Sequence, residues 1–244
     1  MIVPSKIKPI QNVALCTAAM QEAMNRRPEQ DGIVVLSGPT GFGKTYAACY
    51  VANTFHSIYV ECTSTFTKKV FFAEVAEAVG ISSKGTSRSL EKEVTETLVA
   101  LNQPLIVDEV DYLVRNGLID VIRDIHRSTG VACLLIGEEE LPQKLLKWTR
   151  VTGRVLRWVP AQPVSLDDAR ALAPFYSPKV DIADDLLGAM VKAARGSVRQ
   201  VSANLVRIEA AALKKSVRKL DLAAWLELGL PSLIQDPPSV RKFS

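Results

Sequence analysis

The sequence predicts an α/β fold, a parallel five-stranded sheet flanked by helices and followed by a small C-terminal helical domain. Three observations predict it. Short apolar, β-branched runs alternate along the chain with segments of helical periodicity. The loop after the first run carries a complete phosphate-loop pattern between a strand and a helix. The strands stop after Pro160, and only helical periodicity follows.

Residues 12–26 place Val13, Ala19, Met20, Ala23 and Met24 at helical spacing, and residues 28–32 read as a turn. Residues 33–37 form a short apolar run, a buried first strand. The loop 38–43 follows, then a helix from Lys44 to about Phe55. Residues 57–62 read as the second strand. Residues 68–79 are helical through Val70, Phe71, Val75 and Val79. A polar, basic loop is expected over 82–89, then a helix over 90–101 with Leu90, Val94, Leu98 and Leu101 on one face. Residues 104–107, 132–136 and 155–159 read as the third, fourth and fifth strands, with helices over 118–127 and 139–148 between them. Strands apolar on both faces and alternating with helices imply a parallel sheet covered on both sides, with right-handed crossovers.

Beyond Pro160 the chain is punctuated by Pro163, Pro174 and Pro178. Helices are expected over 181–195, 198–215 and 220–228, and residues 236–244 read as a mobile tail. The domain reading is an N-terminal segment and helix over 1–31, a nucleotide-binding domain over 32–160, and a helical lid over 161–235.

The 244 residues suffice for a large core domain with a small one attached. The formal net charge of +4 permits contact with nucleic acid without demanding it. The four cysteines form no C-x-x-C pair, which argues against zinc. Cys49, Cys62 and Cys133 lie in apolar segments and read as buried free thiols, suited to a reducing cytoplasm. No signal peptide and no membrane-spanning run is evident, so a cytoplasmic protein is expected. The two histidines, His56 and His126, lack metal-ligand spacing and read as ordinary surface or packing residues.

Gly38-Pro39-Thr40-Gly41-Phe42-Gly43-Lys44-Thr45 fits G-x-x-x-x-G-K-[ST] at every fixed position, and Tyr46 continues into the helix. Glycines let backbone N–H groups surround phosphate oxygens without side-chain clash. The helix that starts at Lys44 aims the positive end of its dipole at the same phosphates. Lys44 is placed to neutralise the β- and γ-phosphates of ATP, and the Thr45 hydroxyl to ligate Mg²⁺. The third strand ends in Leu105-Ile106-Val107-Asp108-Glu109. Asp108 is expected to hold the magnesium through water, and Glu109 to orient and deprotonate the attacking water.

These two motifs, together with Asp111, resemble the AAA+ ATPases. Within them the chain is most similar to the branch that holds the phage Mu transposition protein B and the transposon target-selector ATPases, over roughly residues 12–213. The resemblance implies three further site positions. Arg154, just before the fifth strand, would be the arginine finger that reaches a neighbour's γ-phosphate, with Arg150 as the competing candidate. Arg199, in Gly196-Ser197-Val198-Arg199, would touch the γ-phosphate from the lid. The sensor-1 position after the fourth strand holds Gly137 and Glu138 where relatives carry Asn, Thr or Ser. An acid there is electrostatically wrong for a γ-phosphate, so slow intrinsic hydrolysis is expected; alternatively, Glu138 caps the next helix.

The resemblance implies an ATP-dependent protein of a transposable bacteriophage that assembles head-to-tail into a helical filament on duplex DNA without sequence preference. It would select target DNA and recruit and stimulate the transposase. The chain begins almost at the core and, on this reading, lacks the N-terminal DNA-binding module of the phage Mu member. Basic residues near loops, Lys68, Lys69, Lys84 and Arg88, are candidate contacts to the DNA backbone. Lys214, Lys215, Arg218 and Lys219 form a denser cluster in the lid, which would bind DNA or a protein partner or simply complement a helix C-terminus. Two other readings stand beside this one: a helicase-loader ATPase, and an ATP-switched scaffold that never touches DNA.

Overall fold

The structure is a computed structural model that describes residues 10–229 and residue 233. They divide into two compact units, residues 11–162 and residues 163–229 with residues 10 and 233. The expected tail over 236–244 lies outside the described residues.

In the first unit the order is α1 (Gln11–Met24), β1 (Ile33–Ser37), α2 (Lys44–Phe55), β2 (Ile58–Glu61), α3 (Lys68–Ala78), α4 (Ser87–Leu101), β3 (Leu105–Asp108), α5 (Asp111–Arg115), α6 (Asp120–Thr129), β4 (Cys133–Gly137), α7 (Leu141–Leu145), α8 (Thr149–Thr152) and β5 (Val155–Pro160). The strands form one parallel five-stranded sheet in the order β2-β3-β4-β1-β5. β1, β3 and β4 are buried at every residue, as central parallel strands covered on both faces must be. Side chains alternate between the faces. Ile33, Val35, Leu105, Val107, Cys133 and Leu135 enter one core with Phe71, Phe72, Leu90, Leu98 and Ile122. α1 and α2 pack against each other and against the sheet.

The order places β4 between β1 and β3. All three run parallel, so the loop after β1, the acids ending β3 and the turn after β4 emerge at the same edge of the sheet. Ligands of open α/β sheets bind outside these carboxyl ends.

Several elements depart from the sequence reading for local reasons. The basic loop over 82–89 is shorter than expected, because the Thr86 hydroxyl accepts from Ser89 N and starts α4 at Ser87. Arg88 therefore lies in the first turn of a helix. The helix expected over 139–148 is shorter, forming only α7, the short α8 follows beyond that range, and the helix expected over 118–127 begins at Asp120. α5 was not anticipated, being too short to show a period.

In the second unit the order is α9 (Leu166–Tyr176), β6 (Asp181–Ile182), α10 (Asp184–Ala193), α11 (Val198–Lys214), β7 (Lys219–Leu220) and α12 (Leu222–Glu227). Two expectations fail here. The prolines concealed α9, which opens with a complete capping box between Ser165 and Asp168 and carries Pro174 inside it. The strands also do not stop after Pro160. β6 and β7 pair in parallel, Asp181 with Lys219 and Ile182 with Leu220, where uninterrupted helix starts were expected. Two residues per strand are too few to show a two-residue period. α9, α10, α11 and α12 pack around Leu172, Leu187, Met190, Leu205, Ile208 and Trp225, all buried.

Candidate nucleotide-binding site

The loop between β1 and α2 has the backbone that its glycines permit. Gly41 and Gly43 adopt φ of 88° and 83°, the left-handed region that favours glycine, and Gly43 is the N-cap of α2. A Cβ on Gly38 would come 2.7 Å from Ala161 Cβ, so the chain after β5 passes too close for any side chain there. Asn12 fixes the loop from behind. This buried side chain donates to Phe42 O and Gln162 O, each at 2.8 Å, and accepts from Gln162 N at 2.8 Å. Its hydrogen-bonding capacity is almost spent on holding the loop to the segment after β5. Helical spacing gave Asn12 no role.

Lys44 folds over the same loop. Its Nζ donates to Gly38 O at 2.6 Å and Pro39 O at 3.0 Å. Burial pushes its ionisation down, while the charges of Glu109, Asp108, Asp111 and Glu138 push it up. Those four carboxylates therefore lie within electrostatic reach of the lysine, as one site requires. Thr45 follows on the exposed side of α2.

Asp108 is only 2% exposed and stays ordered by two donors. Tyr59 Oη, from the neighbouring β2, donates to Oδ2 at 2.8 Å, and Glu109 N donates to Oδ1 at 2.8 Å. Burial, followed by the Asp108 charge, keeps the Tyr59 phenol protonated and thus a donor. A carboxylate has about four lone-pair positions, so Asp108 keeps capacity for the hydration shell of a cation. The donor set, a threonine hydroxyl and an ordered buried carboxylate, suits magnesium with its retained waters. Tyr59 was missed because it lies on a strand with no motif of its own; the pairing of Glu61 with Asp108 in register brings it there.

Glu109 adopts φ of 53°, uncommon for a residue other than glycine. Such strain persists where the surroundings over-determine it, and it clusters at functional sites. Burial first, then the Asp108 charge, holds its carboxyl above the usual range, against the pull of Lys44.

The turn after β4 explains its own composition. Asp111 Oδ2 accepts from Glu138 N at 2.7 Å. A Cβ on Gly137 would collide with that carboxylate and come 2.7 Å from Leu141 Cδ2. Glu138 does not cap α7; its carboxylate meets Lys144 Nζ at 3.2 Å. Gly137→Ala is expected to lower the unfolding free energy by about 1–3 kcal/mol, the usual cost of overpacking. The midpoint of urea unfolding checks this; an unchanged midpoint would mean that Asp111 moves aside freely.

The two arginines before β5 differ. Arg154 is bound at 2.6 Å to Asp31, and its carbonyl accepts from Ile33 N. Arg150, on α8, is exposed and has no hydrogen-bond or ion-pair partner among the described residues. Arg199 lies in the first turn of α11, exposed, in the second unit. Lys68 is paired with Glu91 at 2.9 Å and lies over the Phe72 ring, whereas Lys69, Lys84 and Arg88 are exposed. The Lys68–Glu91 pair ties the start of α3 to the early turns of α4, the end that carries Arg88 three residues before Glu91. Lys214, Lys215, Arg218 and Lys219 are exposed around the end of α11 and β7. Cys49 is only half-buried, unlike the buried thiol expected. His126 is a packing residue: buried, its Nδ1 is 2.8 Å from Val131 O and its Nε2 accepts from Gly32 N at 3.1 Å.

Residues 26–145 match the family model described as an AAA domain. The solved structures similar to the chain include the Orc1 protein of Aeropyrum pernix in complex with DNA, at a TM-score of 0.65 and 17% identity, over 93% of this chain and 67% of that one. Cdc6p of Pyrobaculum aerophilum gives 0.61 and 14%, over 89% and 66%. The RuvB Holliday junction branch migration motor of Thermotoga maritima gives 0.61 and 17%, over 91% and 68%. The fold is that of the AAA+ ATPases. The chain spans about two thirds of the length of these AAA+ structures. No curated protein matches the sequence. Among the described residues, no helix is long and apolar enough to cross a membrane.

Proposed function

We propose that this AAA+ chain binds and hydrolyses ATP with magnesium, and uses the bound state to assemble on duplex DNA. The observation that carries the ATPase reading is the convergence of Lys44, Asp108 and Glu109 at the carboxyl edge of one sheet, with all three charges coupled. Loop amides and Lys44 bind the triphosphate, Asp108 and Thr45 hold the cation, and Glu109 takes a proton from water. Magnesium would supply neutralisation of the phosphate charge.

The assembled state rests on a residue with no hydrogen-bond or ion-pair partner among the described residues. An arginine aimed at a neighbour's γ-phosphate must be exposed and unengaged, and Arg150 meets that condition better than Arg154, which Asp31 holds. Arg150 is therefore the finger in this reading. Arg199 is the further site position that the resemblance implies. A head-to-tail contact that does not close gives a helical filament, and Lys69, Lys84 and Arg88 would contact the DNA backbone. In finer terms, the protein selects target DNA and recruits a transposase for phage transposition, as the resemblance implies.

Electron microscopy with duplex DNA and a non-hydrolysable ATP analogue tests this. Helical filaments that require the analogue are expected. DNA bound as single particles, or no binding to duplex, would count against it. A preference for single strands would favour the helicase-loader reading instead.

A further inference from the structure

We propose that Lys144 is a positioning residue of the nucleotide site, holding Asp111 and Glu138 in one cluster whose negative charge it partly offsets beside the terminal phosphate. The proposal rests on the ATPase reading above.

The geometry is specific. Lys144 Nζ donates to Asp111 Oδ1 at 2.9 Å and lies 3.2 Å from Glu138 Oε2 and 3.9 Å from Glu140 Oε2. An ammonium has three donors, and here they face three carboxylates. Asp111, whose side chain is only 13% exposed, is engaged on both oxygens, by Lys144 and by Glu138 N. Gly137 supplies the room: the Asp111 carboxylate occupies the space that a side chain at the end of β4 would fill. The cluster is not remote from the chemistry. Glu109, Asp111, Glu138 and Lys144 line one cavity of about 470 Å³. Asp111 and Glu138 both act electrostatically on Lys44 and on Glu109. With two such acids uncompensated, a polyanion would meet like charges where its terminal phosphate must lie. The hydrogen bond that Lys144 donates to Asp111 leads the effects that raise the lysine's ionisation. The acid at the sensor-1 position is thus tolerated because a lysine from α7 comes with it.

Equilibrium titrations with a fluorescent non-hydrolysable ATP analogue and with fluorescent ADP test the proposal without turnover. Lys144→Met should weaken the triphosphate about tenfold and the diphosphate less than about twofold, since the added repulsion acts on the terminal phosphate. Adding Glu138→Gln to Lys144→Met should recover part of the loss, and Lys144→Arg should retain most of the affinity. Glu138→Gln alone should tighten the triphosphate by about threefold; this arm decides the question if Lys144→Met does not fold. Equal losses for both nucleotides, no recovery in the double variant, or no response to Glu138→Gln would overturn the proposal. Failure of the wild-type protein to bind either nucleotide would instead overturn the ATPase reading.

Discussion

Lys44→Ala should abolish ATP binding while leaving the fold intact. The lysine is the one cation folded over the phosphate loop among the described residues, and its bonds within the chain go only to the carbonyls of Gly38 and Pro39. Burial already works against its charge, so its removal relieves desolvation rather than opening a core. Charge-assisted bonds to phosphate are each worth about 1.5–3 kcal/mol. Losing two of them corresponds to a loss in affinity of at least about a hundredfold. Isothermal titration with ATP and magnesium, beside a thermal melt, checks both halves. Retained affinity would mean that Lys44 is not the phosphate ligand.

Glu109→Gln should separate binding from turnover. The substitution keeps the size and removes one negative charge from a crowded group, since burial and the neighbouring Asp108 hold the Glu109 carboxyl above its usual range. Nucleotide affinity should therefore persist or improve. Hydrolysis should fall by about 10²–10⁴-fold, the usual contribution of a positioned base, and the ATP-bound assembly should accumulate. Single-turnover hydrolysis and light scattering on DNA measure the two effects. The sign of the pH dependence follows from the same group. The base acts deprotonated and its ionisation is raised, so wild-type turnover should decline on acidification at a higher pH than an ordinary carboxylate would set. Normal turnover in Glu109→Gln would remove Glu109 from the role of base.

The sequence disclosed those parts of the site that are local in the chain. The loop from Gly38 to Thr45 is contiguous, and its glycines are needed for backbone angles that the structure displays. Asp108 and Glu109 were legible because an apolar strand ends on them. What stayed hidden acts across distance. Asn12 reaches Phe42 and Gln162, 30 and 150 residues away, and Tyr59 reaches Asp108 only because β2 and β3 are neighbours in register. Gly137 and Glu138 looked like a defect when read as a dipeptide. With Asp111 and Lys144 beside them they form a closed set of hydrogen bonds and ion pairs. In the second unit the opposite error occurred. Pro174 marked a break where the capping box of Ser165 and Asp168 had already fixed a helix, and strands of two residues are too short to announce themselves. Asp31, which holds Arg154, is another partner that no spacing discloses.

In the proposed function, ATP licenses binding to duplex DNA. The most direct test is the affinity for a random-sequence duplex, measured with and without the non-hydrolysable analogue across a series of salt concentrations. Tight binding only with the analogue, indifferent to sequence and falling steeply with salt as phosphate contacts are lost, is the predicted result. Affinity that is the same with and without nucleotide, or independent of salt, would contradict the account.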